Sequence, residues 1–433
     1  MTVTSSAARR THVRWVPTLA LIAIGTMINY LDRTVLGIAA PLLSSDLALS
    51  PTEMGLVFSA FSWSYAALQI PGGIFLDRYG TRLTYSLSLG LWSAFTALMG
   101  LVRGLPALIA TRVGLGTFEA PCFPANSRIM ATWFPQQERA RGNAIYACGQ
   151  TVGLGLLSAP LFWITRQLGW RGLFFVVGGL GVAFAVVFWV VYRDPGQSAR
   201  VNRAELDYIE AGGGGEYRGQ PTRFRWKYIG ELLRHRQVVG ASLGQFAGNS
   251  TLVFFLTWFP TYLVTARGMD YIKAGFMTSL PYLAASAGVL VGGVVSDALL
   301  KRTGSANLAR KLPVVSGLML ASVIIAANYV PAGNNVAVVL IMSAAFFGQG
   351  MTNLGWTVVS DIAPKTLMGL TGGIFNFTTN LAGIITPLVI GFAYQRTGSF
   401  FGPLVYIAVV AVLGAISYIA ILGDVHRLEV ATN

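Results

Sequence analysis

The chain is poor in the residues from which disulfide frameworks, metal sites and catalytic centres are built. It has two cysteines, Cys122 and Cys148, and three histidines, which all fall outside the apolar segments. Two cysteines in apolar surroundings predict neither a disulfide framework nor a metal site. The sequence also lacks the Gly-x-x-x-x-Gly-Lys-Ser/Thr loop that holds nucleotide phosphates. We therefore expect no enzyme activity, no cofactor and no bound metal.

Charge is scarce too, at 11% of the residues against about a quarter in an ordinary soluble protein. Hydrophobic residues make up 54%, which is typical of a protein that crosses the membrane many times. A net charge of +14 would suit a nucleic-acid partner, but the basic residues are scattered through short loops and are not gathered with exposed aromatic rings. We therefore expect a lipid bilayer and no nucleic acid as the surroundings of this chain.

Apolar segments close to the roughly 20 residues that a bilayer requires recur twelve times. We number them span 1 to span 12, and they run over Trp15–Leu43, Met54–Leu76, Thr84–Val102, Pro106–Met130, Ala144–Ile164, Gly172–Tyr192, Ser242–Val264, Ala274–Leu299, Leu312–Tyr329, Val336–Ile362, Leu370–Tyr394 and Phe400–Leu422. The polar stretch 193–236 predicts a cytoplasmic linker between a first bundle over 1–192 and a second over 237–433. The expected fold is all-α, with twelve transmembrane helices in two six-helix halves.

Basic residues mark one side of the membrane. The loops after spans 2, 4 and 8 contain Arg78, Arg82, Arg139, Arg141 and Lys301. The loops on the opposite side of the membrane are poorer in basic residues. Loops rich in Lys and Arg face the cytoplasm, so this distribution predicts that both termini are cytoplasmic.

A short motif occurs twice, six spans apart. Gly72–Arg82 reads GGIFLDRYGTR at the end of span 2, and Gly292–Asp297 reads GGVVSD at the end of span 8. Two copies in register predict the parallel repeats of a transporter. The charged residues of the motif predict a cytoplasmic gate, and they are Asp77, Arg78, Arg82 and Asp297.

Four ionisable groups lie deep in spans of the first half: Asp32, Arg33, Arg112 and Glu119. Because a charge at the bilayer centre costs at least about 2.5 kcal/mol, we interpret them as functional. The set is formally neutral, so an incoming carboxylate upsets its balance unless a proton enters too. Protonating Asp32 or Glu119 frees a guanidinium, which can hold a carboxylate bidentately. The sequence leaves open which acid takes the proton, and a purely structural set of ion pairs is the alternative.

The second half offers amides and an aromatic ring in place of deep charge. Asn376 and Asn380 lie one turn apart on span 11 and can present amides to hydroxyl groups. Trp356 can pack against a carbon chain, and Asn353 lies one turn before it. We predict that these four residues contact the substrate, although such asparagines also join helices to one another.

The pattern of spans, linker and repeat resembles the major facilitator superfamily over the whole chain. The strings NYLDR at 29–33, FSWSYAALQIPGG at 61–73, TRVGLGTFEAPCFPA at 111–125 and GWTVVSDIAPK at 355–365 resemble its anion:cation symporter family. Bacterial members of that family carry sugar acids with protons. The strings at 256–269 and 372–391 look closest to the glucarate and galactarate branch, and the galactonate type is similar.

The resemblance implies a role for each residue of the site. It makes Asp32 and Glu119 the protonation sites and assigns Arg33 and Arg112 to anion binding and to the acid–base network. The residues at positions that touch substrate in similar symporters are Tyr30, Tyr65 and Gln150.

The expected function is thus a monomeric proton symporter of a bacterial inner membrane that imports a polyhydroxylated organic anion, such as glucarate, galactarate or galactonate. The alternatives are another carboxylate (tartrate, phthalate or a hydroxyaromatic acid), drug export, or a sensor built on a transporter fold.

Overall fold

The computed structural model describes residues 10–215, 226–364 and 367–429, and no strand occurs in these ranges. The side chain of Cys148 lies outside the described part, and Cys122 is a buried free thiol. The helices run over Arg14–Thr18, Leu19–Asp46, Pro51–Ala67, Gln69–Met99, Leu105–Glu119, Cys122–Trp133, Gln136–Val191, Pro195–Gln197, Arg203–Ala211, Trp226–Arg234, Arg236–Thr257, Phe259–Thr261, Tyr262–Ala266, Tyr271–Thr303, Ala306–Ser322, Val323–Tyr329, Asn335–Met351, Thr352–Leu354, Gly355–Ile362, Met368–Thr397, Phe401–Ile416 and Ser417–Ile421.

Two glycines divide helices that would otherwise run on. Gly80 has a φ of 79° inside Gln69–Met99, and Gly169 has a φ of 71° inside Gln136–Val191. Glycine adopts this left-handed region without steric cost, so the chain can turn back at each position. Eight helices among the described residues are long and apolar enough to cross a membrane by themselves. Dividing the chain at the two glycines and grouping helices that continue one another gives twelve spans, and from here each span number denotes the whole helical segment.

The first part of the linker packs on the first half. Glu205, on the helix Arg203–Ala211, is fully buried and accepts hydrogen bonds from the hydroxyl of Thr11 at 2.5 Å and the backbone N–H of Val13 at 3.0 Å. It also pairs at 2.8 Å with the buried guanidinium of Arg14, which reaches Glu138 of span 5 at 2.8 Å. We call the face that carries residues 10–13 and 193–215 the linker side, and the opposite face the far side.

The ion pair of Glu205 makes a stability prediction. Burial alone would raise the pKa of Glu205, but the hydrogen bonds from Thr11, Val13 and Arg14 outweigh it and lower the pKa. Because the pKa of Glu205 is lower in the folded than in the unfolded protein, its charge stabilises the fold when the pH is above the unfolded-state pKa. This stability is lost as the pH falls through the folded-state pKa. Breaking a buried pair costs about 3–5 kcal/mol, so Glu205→Gln should lower Tm by several degrees at pH 7 and much less at pH ~3.

Thermal unfolding of the purified protein at both pH values measures this effect. Asp207→Asn is the matched control, because Asp207 forms an exposed pair with Arg203 on the same helix at 3.0 Å. Exposed pairs contribute about 0–1 kcal/mol, so this variant should unfold like the parent. Equal Tm values for Glu205→Gln and Asp207→Asn at pH 7 would contradict the prediction.

The halves meet on the far side. A Cβ on Gly55 of span 2 would lie 2.6 Å from a backbone oxygen of span 11, and one on Gly391 of span 11 would lie 2.5 Å from a backbone oxygen of span 2. The hydroxyl of Tyr271 on span 8 also donates to a backbone carbonyl of span 1. Nearer the linker side, a Cβ on Gly73 of span 2 or Gly373 of span 11 would meet no atom within 4 Å. The halves therefore contact each other on the far side, whereas these two glycines nearer the linker side contact no atom of the other half.

Candidate functional site

Span 1 and span 4 are joined by an ion pair in the interior of the first half. The guanidinium of Arg33 donates from Nε to Oε1 of Glu119 at 2.7 Å, and its second nitrogen lies 2.5 Å from the same oxygen. Glu119 is fully buried, whereas the Arg33 side chain is 15% exposed. Asp32 precedes Arg33 on the same helix and so points in another direction. The two adjacent charges of span 1 thus take different partners.

Three aromatic rings surround the Arg33 guanidinium. Its central carbon lies 5.0 Å from the ring centre of Tyr30, 4.9 Å from Phe61 and 4.8 Å from Tyr65. A guanidinium is attracted to the faces of such rings, so they stabilise its charge without a second carboxylate. Gln150 of span 5 lies beside the Tyr30 hydroxyl. The resemblance predicts that Tyr30, Tyr65 and Gln150 contact the substrate. The structure places all three near the Arg33 guanidinium.

Arg112 is a buried cation with unused donors. Its side chain is 2% exposed, and neither Nε nor one terminal nitrogen has a hydrogen-bond partner among the described residues. Its central carbon lies 5.1 Å from the ring centre of Phe61, so Arg33 and Arg112 both contact this ring. Oε2 of Glu119 is also buried without a partner. Since unsatisfied buried charges are costly, this arrangement is suited to an anion that occupies the Arg112 donors.

Asp32 is held by a residue of span 3 to which the sequence analysis assigns no role. The indole N–H of Trp92 donates to Oδ2 of Asp32 at 2.9 Å, and both side chains are fully buried. Oδ1 of Asp32 has no partner in the part of the chain that is described. The charges of Asp32, Arg33 and Glu119 all act on Arg112, so the predicted quartet forms one electrostatic cluster.

The polar residues of the second half form a separate group. The amide nitrogen of Asn380 donates to the backbone carbonyl of Asn376 at 2.8 Å and to its side-chain oxygen at 3.2 Å. The ring of Trp356 meets that of Phe375 edge-on at 4.8 Å between span 10 and span 11. Asn353 is exposed and donates to a backbone carbonyl one turn back on its own span.

One contact between the halves shows how deep in the membrane the Arg33 group and the amides of span 11 lie. A Cβ on Gly383 of span 11 would lie 2.3 Å from the hydroxyl oxygen of Ser62 on span 2. Tyr65 is three residues from Ser62, and Asn380 is three residues from Gly383, both toward the linker side. Three helical residues span about 4.5 Å, so the two side chains lie at a similar depth. The aromatic group around Arg33 and the amides of span 11 therefore border the same space.

A model of the Major Facilitator Superfamily matches residues 22–387. The chain belongs to the major facilitator superfamily. The D-galactonate transporter of Escherichia coli O6:H1 (strain CFT073) is 44% identical, and the match covers 99% of this chain and 100% of that protein. A protein of Escherichia coli (strain K12) named "Probable galactarate/D-glucarate transporter" is 43% identical, with 98% of this chain and 97% of that protein covered.

Solved structures show the superfamily fold at lower sequence identity. The crystal structure of a D-xylose-proton symporter has a TM-score of 0.70 at 14% identity and covers 94% of this chain and 98% of that chain. A bacterial homologue of the human lysosomal transporter Spinster, inward-facing and occupied, has a TM-score of 0.68 at 21% identity and covers 95% and 94%. The predicted superfamily, its sugar-acid relatives and the all-α fold of twelve transmembrane helices in two halves are therefore confirmed.

The predicted gate residues of this superfamily chain, Asp77, Arg78, Arg82 and Asp297, lie toward the linker side. Asp77 is 3.4 Å from Arg128 of span 4, and Asp297 is 3.9 Å from Arg310 of span 9, so each acid faces a base of its own half. Arg82 donates to a backbone carbonyl of span 6 at 2.8 Å, and Arg78 lies over the ring of Tyr79. Their role in gating stays a prediction.

Three residues near the site were missed by sequence reasoning, namely Phe61, Trp92 and Asn249. Phe61 and Trp92 are aromatic residues in apolar spans, where nothing distinguishes them from lipid-facing or core residues. Asn249 of span 7 donates its amide to the backbone carbonyl of Thr379 at 2.7 Å, which ties span 7 to span 11 beside Asn380. A lone asparagine inside a span was the available signal for it.

Proposed function

We propose that this transporter-family chain is a proton-coupled symporter that imports a polyhydroxylated organic anion, of the aldonate or aldarate type. The observation that carries the proposal is the buried, formally neutral cluster of two carboxylates and two guanidiniums, in which Arg112 retains unpaired donors. An anion that binds there adds a negative charge to a neutral cluster. A proton taken up by Asp32 or Glu119 restores the balance.

The Arg33–Glu119 pair provides the coupling step. When Glu119 is charged, Arg33 is engaged with it at 2.7 Å. Protonation of Glu119 removes the charge that holds Arg33, and the guanidinium then presents its donors to a carboxylate beside those of Arg112. Departure of the anion and the proton lets the ion pair form again. Proton and substrate therefore favour each other's binding, which is the requirement for symport.

The distribution of buried charge favours a substrate with one carboxylate. Among the described residues of the second half, no Asp, Glu, Lys or Arg is buried, so the far end of a bound acid meets amides and rings. An aldonate presents hydroxyl groups there, whereas an aldarate would bring a second charge to groups that cannot neutralise it. The relatives named for both kinds of acid are almost equally similar to this chain.

We place the linker side in the cytoplasm of a bacterial inner membrane, because the basic loops lie there. Both termini are then cytoplasmic, and substrate is released on the linker side. We further propose that 1–192 and 237–433 act as the two bundles of alternating access, with 193–236 as the linker, and that the protein works as a monomer. A site formed wholly within one chain supports this state.

Uptake into proteoliposomes tests the proposal. With an inward proton gradient, labelled galactonate should accumulate, and unlabelled galactonate should compete more strongly than galactarate or glucarate. Tartrate and phthalate should compete weakly, and glucose should not compete. Equal competition by glucose and galactonate would show that the substrate need not be an anion. Preferential uptake of tartrate or phthalate would be consistent with symport but would show that the substrate is another carboxylate.

The amides of span 11 should affect affinity and not coupling. A hydrogen bond to a substrate hydroxyl is worth about 0.5–1.5 kcal/mol, or more if a buried partner is left unpaired. Asn376→Ala should therefore weaken galactonate affinity several-fold while the pH dependence of transport stays as in the parent. The control is Asn328→Ala, because Asn328 donates to the carbonyl of Phe401 at 3.3 Å, away from the site. A changed pH profile with unchanged affinity for Asn376→Ala would contradict the division of roles between the halves.

A further inference from the structure

We propose that Trp92 is a positioning residue that determines how readily Asp32 exchanges its proton; this inference rests on the proposed symport function. The indole nitrogen of Trp92 lies 2.9 Å from Oδ2 of Asp32, and both side chains are completely buried. Trp92 also meets the ring of Tyr85 in an edge-on contact at 6.5 Å. The indole is therefore fixed by packing with its N–H directed at the carboxylate.

The chemistry of the indole determines which protonation state of Asp32 this contact favours. An indole N–H only donates, so it cannot take a proton from Asp32 or carry one onward. Its hydrogen bond is stronger to a charged carboxylate than to a neutral carboxyl group. Trp92 therefore favours the charged form of Asp32 without bringing a cation next to it.

The other charged groups near Asp32 do not replace this donor. Glu119 and Arg112 on span 4 act on Asp32 through their charge, and Arg33 on its own helix is engaged with Glu119. The hydroxyl of Thr96 lies beside the same carboxylate and is a second neutral donor available to it, although in the structure it donates to the backbone carbonyl of Trp92 at 3.3 Å.

The two acids are thus stabilised by different groups. Glu119 has a guanidinium, and Asp32 has a neutral donor on span 3. A proton can therefore bind to and leave Asp32 without the Arg33–Glu119 pair being broken. The hydrogen bond from Trp92 contributes, with Thr96 beside it, to the pH at which this happens.

Two substitutions at position 92 test the inference. Trp92→Phe removes the N–H and retains an aromatic ring. Benzothienylalanine at this position replaces the N–H by sulfur with almost no change of shape, which covers the case in which Trp92→Phe folds poorly. Either change should shift the midpoint of the pH dependence of galactonate uptake upward by about one unit, since a pH unit corresponds to one modest hydrogen bond to a charged group. Exchange of galactonate at low pH should be retained.

Trp133→Phe is the matched control, because Trp133 is 1% exposed and its N–H has no partner among the described residues. It should leave the midpoint unchanged. In an Asp32→Asn background, Trp92→Phe should alter exchange no further. An unshifted midpoint in both position-92 variants, with a normal pH response in the parent, overturns the role of Trp92 alone. Absence of pH-dependent uptake in the parent overturns the proposed function and this inference with it.

Discussion

Replacing Glu119 by Gln should abolish accumulation of the sugar acid under a proton gradient and leave exchange across the membrane measurable. The amide has nearly the shape of a protonated glutamate, but it can neither release a proton nor hold Arg33 by charge. Arg33 then stays available to the substrate carboxylate, so binding and exchange continue. In the parent, the ratio of internal to external substrate concentration should rise well above its equilibrium value. In Glu119→Gln the ratio should stay near the equilibrium value, because nothing couples the substrate to the proton gradient.

Parallel assays of gradient-driven uptake and counterflow measure both effects in one preparation. Glu210→Gln is the control, since Glu210 is exposed on the linker helix and takes no part in the site. It should accumulate substrate like the parent. Asp32→Asn should cripple active uptake as Glu119→Gln does. Accumulation against a gradient by both acid variants would show that neither carboxylate carries the coupled proton.

Arg33→Lys should weaken substrate binding about ten- to a hundredfold, although the positive charge is kept. Lysine lacks the planar fork that holds a carboxylate through two bonds, and hydrogen bonds to charged groups are worth about 1.5–3 kcal/mol. It also loses the stacking on Tyr30, Phe61 and Tyr65 that orients the guanidinium. The expected decrease therefore corresponds to the loss of about one hydrogen bond to a charged group.

Equilibrium binding of galactonate to purified protein checks this expectation. Arg171→Lys provides the comparison, because Arg171 forms an exposed pair with Asp46 on the far side at 2.6 Å. Its affinity should match that of the parent. Tight binding by Arg33→Lys would assign Arg33 to the structural ion pair with Glu119 and leave the anion to Arg112.

The members of the charged cluster were predictable, whereas their pairing was not. Asp32, Arg33, Arg112 and Glu119 stand out because each places a charge in an apolar run. Which acid meets which base depends on how span 1 and span 4 rotate against each other, and a sequence does not contain that angle. Arg33 pairs with Glu119, 86 positions away, and Asp32 meets Trp92, 60 positions away.

The linker shows the same limit. Its composition predicts a polar connection between the two bundles. The docking of the helix Arg203–Ala211 depends on Glu205 reaching Arg14, 191 positions earlier, which no local pattern indicates. The spans themselves were easier to predict, because length and apolar character suffice for a helix that crosses a bilayer.

Proton movement that accompanies the substrate tests the central claim most directly. Galactonate is added to lightly buffered proteoliposomes without a pre-formed pH gradient, and the external pH is followed together with substrate uptake. We expect the external pH to rise in step with uptake by the parent protein, and no rise with Glu119→Gln. Full-rate uptake of galactonate by the parent without any rise in external pH would contradict the account.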